Sequence, residues 1–458
     1  MFNKLSTLPN NNLSSQKSSE VQKSELFMKD PSITEESVEY QAYHILQNED
    51  PISYIMGQYT QIHVGDDEAG ELLLMTIGCQ CCSNTEGIQP DLTGMSGGGK
   101  SDCCKAMLHL NPNEYVITGS RSPLALYHME LNPGSIVFFD DTEKFSDIEE
   151  QFIKTTTSQF QQSNTRYYTD MKKEGAKKSR EISIPPRQLF WITSKDSSFD
   201  IQILNRFIKI QIDDSPEQDL AVLQHQREKA KIGSYRFEVT QEVEVCREII
   251  RHLKNYEPQP VQIPYVDLIE WKSYQNRRNF PMFIDIIKAS AAFNQYQRTK
   301  SEDNFIIGNL EDFDRAARLW STIESSQITG LTPTELDVLR VISNNNGITQ
   351  SGIAKILEKD KSTVSRAIHG IKQADHSYKG GLMNNLKGGG LDYHSTNHTY
   401  QYSGDIFKTT GMVLLTDRAE AQRLINEASC CPTNSSIYCL KNPVNATEAF
   451  KEDLQQVD

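Results

Sequence analysis

Residues 93–107 read TGMSGGGKSDCCKAM. Gly94 through Ser101 fit the pattern G-x-x-x-x-G-K-S/T without a mismatch. Glycine lets backbone N–H groups turn inward around phosphate oxygens, Lys100 reaches the β and γ oxygens, and the Ser101 hydroxyl suits Mg²⁺. The stretch DCCKAMLHL after it is expected to open a helix whose N-terminal dipole favours the same anion. Gly94, Gly97, Gly98, Gly99, Lys100 and Ser101 are therefore the candidate ATP-binding residues. The bland alternative is a plain flexible loop.

The stretch GSIVFFDDTEKF, residues 134–145, is an apolar strand that ends in two acids. Asp140 lies 40 residues after Lys100, a separation that lets a P-loop ATPase place the two strands side by side. Asp140 suits the Mg²⁺-organising role together with Ser101, and Asp141 the water-activating one. A buried strand running into an acidic turn explains the apolar run alone, not its pairing with the loop. Next, RQLFWITSKD reads as a buried strand ending in Thr193 and Ser194, where a side chain such as Ser194 can orient the attacking water. IQILNRFIKIQI then carries Arg206 inside an apolar frame. The bland alternative there is a salt-bridged structural arginine. An ATPase assembled as a ring, however, needs a cation from the neighbouring subunit to offset charge developing on the γ-phosphate.

Glycine loop, apolar-DD, polar strand end and LNRF, in that order, resemble the AAA+ ATPases, in particular the minichromosome maintenance helicases and the superfamily 3 helicases of viruses and plasmids. ILNRFIKI is similar to the L-S-R-F arginine-finger motif of the former, and the pair Asp140-Asp141 is closer to the latter. RRNFPMFIDIIKASAAF, residues 277–293, resembles the sensor 2 helix of minichromosome maintenance proteins, with Arg278 at the matching arginine. NLEDFDRAARLW is similar to the helix that closes their ATPase lid. The resemblance spans about 60 to 325 and implies a ring, a hexamer, in which Arg206 acts in trans and Arg278 reads the γ-phosphate. This strand ends Thr193-Ser194-Lys195 where those families carry Asn. The stretch ahead of residue 34 is too short for the N-terminal DNA-binding collar, which implies a reduced, mobile-element type.

Composition bounds the remaining possibilities. A chain of 458 residues is expected to hold two or three domains. No apolar run approaches the roughly 18 residues of a membrane span, and the N-terminus lacks the apolar segment of a signal peptide, so a soluble, cytoplasmic protein is expected. The nine cysteines include adjacent pairs that cannot easily bridge each other, and reduced thiols are the expectation. CQCC at residue 79 has no second Cys/His pair at finger spacing, so zinc is not expected. A net charge of −14 excludes a surface that coats nucleic acid as a whole; any DNA contact must come from local basic patches.

Two such patches stand out. TRYYTDMKKEGAKKSREISIP, residues 165–185, has β-prone flanks around a turn with Gly175, the signature of a hairpin. Its tip carries Lys172, Lys173, Lys177 and Lys178, with Arg166 and Arg180 on the arms. Both helicase groups carry a pre-sensor 1 hairpin here that grips the DNA backbone in the ring channel, a sequence-independent phosphate contact. The plain alternative is a solvated basic loop. Further on, ITQSGIAKILEKDKSTVSRAIHGI reads helix, turn, helix. Ile353, Ala354, Ile356 and Leu357 turn inward in the first helix, and Val364, Ala367, Ile368 and Ile371 in the second. That leaves Lys361, Ser362, Thr363, Ser365, Arg366 and His369 outward on a recognition helix. YQYSGDIFKTTGMVLLTD, residues 400–417, is the expected β-wing.

The fold class expected is α/β: a P-loop AAA+ ATPase core with a helical lid, followed by a winged helix-turn-helix domain. The expected division is a disordered lead-in 1–33, core 34–214, lid and sensor 2 region 215–325, winged helix 326–417 and a loosely ordered tail 418–458. The function expected is an ATP- and Mg²⁺-dependent DNA helicase or replication-initiation ATPase working as a homo-oligomeric ring, with no membrane partner. The chief alternative is an ATP-switched DNA-binding regulator without unwinding activity; a weaker one is a protein-remodelling ATPase.

Overall fold

A computed structural model describes residues 37–429, apart from 95–96, 120–125, 143, 171–177, 195–204, 214, 234–236, 272–276, 330, 332, 373–377, 387–389 and 405–412. The described residues open with two helices, Val38–Asn48 and Pro51–Ile62. Ser37 caps the first by accepting a hydrogen bond from Tyr40 N, and Asp50 caps the second just ahead of Pro51. The run GELLLMTIGCQCC lies in the helix Asp67–Gln80, buried at every position from Ala69 onward. Close packing explains its second glycine: a β-carbon on Gly78 would sit 2.8 Å from the Ala289 backbone oxygen.

The centre is a five-stranded sheet in the order β2 (Val116–Ile117), β3 (Ile136–Phe139), β6 (Leu189–Ser194), β1 (Gln89–Thr93) and β7 (Phe207–Gln211). All its pairings are parallel: Val137 faces Phe190, Asp91 faces Ile192, and Gln89 and Thr93 face Phe207 and Gln211. Strands buried on both faces read as continuous apolar runs, as IVFF and LFWI do. One face packs Leu92, Trp191, Ile208 and Ile210 on the helices that precede β1. The other buries Phe139, Phe152, Phe190 and Ile192 under the helix Asp147–Ser158, which Ser146 and Glu149 start as a capping box. Between that helix and β6 a separate antiparallel pair, β4 (Asn164–Asp170) and β5 (Lys178–Ile184), forms the expected hairpin.

After β7 come the helices Pro216–Ile232, Gln241–Asn255, Asn279–Phe293 and Leu310–Thr329. Trp271, Phe283, Phe313 and Trp320 form an aromatic cluster between the last two. Pro333–Asn344, Gln350–Ile356 and Lys361–His369 then build a three-helix unit with its own core, around Leu339, Ile353, Val364 and Ile368. The wing of this unit is the pair Leu391–His394 and Thr399–Tyr402. Of the segment expected to form it, residues 400–402 are the ones among the described residues that take part. Leu414–Leu415 instead pairs with Ile269–Glu270, ahead of the helix Asn279–Phe293. The tail expected to be loosely ordered opens with the helix Arg418–Ser429, which buries Ala421 and Ile425 and joins Arg418 to Asp314 on the helix Leu310–Thr329. Among the described residues no helix is long and apolar enough to cross a membrane.

Asp312, fully buried, ties the helices Asn279–Phe293 and Leu310–Thr329 together. Its carboxylate accepts hydrogen bonds from Arg298 Nε and Nη2, Ser290 Oγ and Asn309 N. Asp312→Ala strands the buried guanidinium, so unfolding in urea is expected to show a loss of about 3–5 kcal/mol; a loss below about 1 kcal/mol would contradict this role.

Candidate functional site

The glycine loop leaves the carboxyl end of β1 and enters the helix Lys100–His109. Gly97 and Gly99 adopt φ of +86° and +94°, the left-handed region where a β-carbon is strained, which explains glycine at both. Gly99 O accepts from Asp102 N and Cys103 N and starts the helix. Lys100 folds back over the loop, its Nζ 2.8 Å from Gly94 O. Beneath the loop, His63 bridges Asp102 and Asp66, 3.0 Å from each, and so pins the segment before the helix Asp67–Gln80 to the first turn of the loop helix. Burial lowers the His63 pKa, but the hydrogen bonds it donates to the two carboxylates outweigh it and leave His63 raised.

Parallel register brings the acid pair to this same edge. Ser101 Oγ donates to Asp140 Oδ1, Thr193 Oγ1 donates to the same oxygen at 3.0 Å, and Lys105 Nζ lies 2.8 Å from Oδ2. Burial alone would raise the Asp140 carboxyl; donors Lys105, Ser101 and Thr193 outweigh it and hold Asp140 below the ordinary carboxylate range. Asp141 N donates to Thr193 Oγ1 at 2.8 Å, with the Asp141 backbone at φ +46° and its side chain exposed beyond Asp140. The donor set of a hydroxyl and a carboxylate suits Mg²⁺, and the turned glycines, Lys100 and the helix N-terminus suit a triphosphate.

Ser194 requires a correction. Successive strand side chains face opposite sides, so Thr193 is the β6 residue that meets the acids, whereas Ser194 donates to buried Asp91 Oδ1 at 2.8 Å. Thr193 and Ser194 are equal candidates on sequence, and only register separates them. Asp91 itself sits at the root of the loop: burial pushes its carboxyl up to about 6, against the Ser194 hydrogen bond and the charges of Lys209 and Lys100.

Arg206 and Arg278 lie elsewhere. Arg206 precedes β7 at its amino end, and β1 runs parallel to β7, so about 16 Å of strand separates it from the loop. Together with Arg278, Gly87, Thr157, Gln161 and Asp285 it lines a cavity of about 640 Å³. Arg206 Nη1 reaches Thr157 Oγ1 at 3.5 Å, while its buried Nε has no partner among the described residues. Burial and then the Arg278 charge push the Arg206 guanidinium down, as desolvation and a like charge do to any cation. The structure thus brings the two arginines together and keeps both from the glycine loop of their own chain.

Of the hairpin lysines, Lys172, Lys173 and Lys177 lie outside the described residues, and Lys178 begins β5 opposite Asp170. In the three-helix unit Val364, Ala367 and Ile368 face inward and Lys361, Ser362 and Arg366 are exposed. Ser362 and Thr363 are not free to reach outward as they stand: both hydroxyls and both amides donate to Asp360, the cap of that helix. His369 turns to the wing, 3.0 Å from Tyr400 Oη, and Ile356 is exposed instead of buried.

Residues 36–256 match the MTBMA_p00010 P-loop domain family. Residues 329–376 match the MarR family. One curated relative is the uncharacterized protein MTBMA_p00010 of Methanothermobacter marburgensis, 25% identical over 371 residues, which cover 73% of this chain and 45% of the relative. The chain thus spans less than half the length of that protein. The fold is a P-loop domain on a parallel α/β sheet followed by a MarR-type winged helix domain. These matches carry both parts of the chain and stop short of a helicase family.

The P-loop domain's buried Asp91 gives a pH test. Its pKa is raised by folding, so its contribution to stability is present in full below about pH 4 and lost as pH rises through about 6. Asp91→Asn is expected to be more stable than the parent at pH 8 by about 3 kcal/mol and equal to it at pH 4. Parallel urea curves at the two pH values would contradict the assignment.

Proposed function

We propose that the chain is an ATP-hydrolysing, DNA-translocating P-loop NTPase that works as a ring, a helicase or replication-initiation ATPase. The observation that carries this reading is the division of the site between two edges of one sheet. Ser101, Asp140, Asp141 and Thr193 gather at the carboxyl edge, and Arg206 with Arg278 at the amino edge. A single protomer cannot close both on one triphosphate, whereas a head-to-tail ring sets each amino edge against the next carboxyl edge.

In that ring the amides of Gly97, Gly98 and Gly99 and the Lys100 ammonium hold the phosphates. Ser101 and Asp140 would hold Mg²⁺, which when bound would supply charge neutralisation for the phosphates. Thr193 keeps Asp140 oriented and supports the Asp141 backbone, so that the Asp141 carboxylate can take a proton from the attacking water. Arg206 and Arg278 of the next protomer offset charge that develops on the γ-phosphate. Movement at this seam is carried by the helix Asp147–Ser158, whose Thr157 meets Arg206, to the β4–β5 hairpin beyond it. The lysines Lys172, Lys173, Lys177 and Lys178 of that hairpin are the proposed grip on the DNA backbone. The winged helix supplies a second contact through Lys361, Arg366 and, once released from Asp360, Ser362 and Thr363.

The MarR match favours a second reading, an ATP-switched DNA-binding regulator without unwinding. Strand displacement on a forked duplex separates the two.

Subunit mixing tests the shared seam. Arg206→Ala is expected to lower DNA-stimulated turnover about 10³-fold and Lys100→Ala to abolish it. An equal mixture of the two inactive proteins should regain activity, because about a quarter of the seams in a random ring pair an intact loop with an intact arginine. Full turnover by Arg206→Ala alone, or no recovery on mixing, would overturn the ring.

A further inference from the structure

Lys105 makes the direct ion pair to the acid of the proposed metal site. It stands four residues beyond Ser101 on the same helix, so the two side chains lie one above the other on the face turned to the end of β3. They divide the Asp140 carboxylate between them: Ser101 and Thr193 take Oδ1, and Lys105 takes Oδ2 at 2.8 Å. The Lys105 side chain is 49% exposed and that of Asp140 37%. An ion pair so open to water adds little to stability, so its consequence lies in the charge it places at the site. Lys105 occupies the carboxylate oxygen that neither hydroxyl uses, and a hydrated divalent cation held by Ser101 and Asp140 would share that carboxylate with it. An ammonium and a divalent cation within a few ångströms of one carboxylate repel each other.

We propose that Lys105 is a tethered counter-ion of Asp140, which a divalent cation must displace, and that it thereby sets the metal affinity of the site. It holds the carboxylate in place and charge-balanced before the metal–nucleotide complex arrives, and it swings outward when the divalent charge takes over. This rests on the reading of Ser101 and Asp140 as the metal site. Mg²⁺ supplies charge neutralisation there; Lys105 decides how readily it enters.

The test is the affinity of the full chain for Mn²⁺, followed by electron paramagnetic resonance with a saturating non-hydrolysable ATP analogue. Lys105→Met is expected to bind Mn²⁺ about tenfold more tightly than the parent, because the competing charge is gone. Lys105→Arg, which keeps the charge, should stay close to the parent. Unchanged or weaker Mn²⁺ binding by Lys105→Met, with an unchanged melting temperature and analogue affinity, overturns the proposal while leaving the metal site intact. A parent protein that binds the analogue but no Mn²⁺ overturns the metal site and the role of Lys105 with it.

Discussion

The Asp140 carboxylate is where three separately encoded pieces of the chain meet. Ser101 and Lys105 reach it from the helix after β1, Thr193 from the end of β6, and Asp140 itself directly follows β3. None of these contacts is local in sequence; each depends on β1, β6 and β3 lying parallel and in register, so that their carboxyl ends coincide. A shift of one residue along β6 would present Ser194 to the acids and leave Thr193 against Asp91, since side chains alternate across a strand. The buried apolar faces of the sheet fix that register, with Trp191 packed on one side and Phe190 and Ile192 on the other. The chemistry of the site is therefore a consequence of core packing some distance from it.

The same sheet explains the separation of the arginines. Because β7 runs parallel to β1, a residue that precedes β7 must lie at the end of the sheet opposite the glycine loop. Arg206 is held there partly desolvated, with an Nε unpartnered among the described residues and a second guanidinium nearby. That arrangement is unfavourable by itself and becomes favourable against a dense negative charge. The winged helix unit is fastened differently. The chain enters it from the helix Leu310–Thr329 and returns to that helical region through Leu414–Leu415, paired with Ile269–Glu270, and through Arg418, joined to Asp314, so both ends of the unit are fastened to the same region.

Much of this is legible in the residues. The glycine loop, the apolar strand ending in Asp140-Asp141 and the order of motifs along the chain specify a P-loop sheet, because continuous apolar runs between helices have few other homes. The helix-turn-helix is legible from its inward-facing Ile353, Val364 and Ile368. What sequence cannot rank is Thr193 over Ser194, since both are small hydroxyl residues at one strand end and only pairing decides which faces the acids. His63 carries no local signal either: its partner Asp102 is 39 residues away and the link exists only in the fold. Lys105 does have a signal, four residues from Ser101 on one helical face, but nothing in one dimension says that Asp140 faces it. The wing and the final helix escape sequence reading for a related reason. Leu414–Leu415 is a two-residue apolar stretch and Ala421 one of few apolar positions in a polar helix, and their partners, Ile269 and the helix Leu310–Thr329, lie roughly a hundred residues or more upstream.

A structure of the protein with a non-hydrolysable ATP analogue and Mg²⁺ tests the shared seam most directly. The expected result is the triphosphate on residues 97–101 of one protomer, with Arg206 and Arg278 of a second within hydrogen-bond distance of the γ-phosphate. A triphosphate bound by a lone protomer, or contacted by the Arg206 and Arg278 of its own chain, would contradict it.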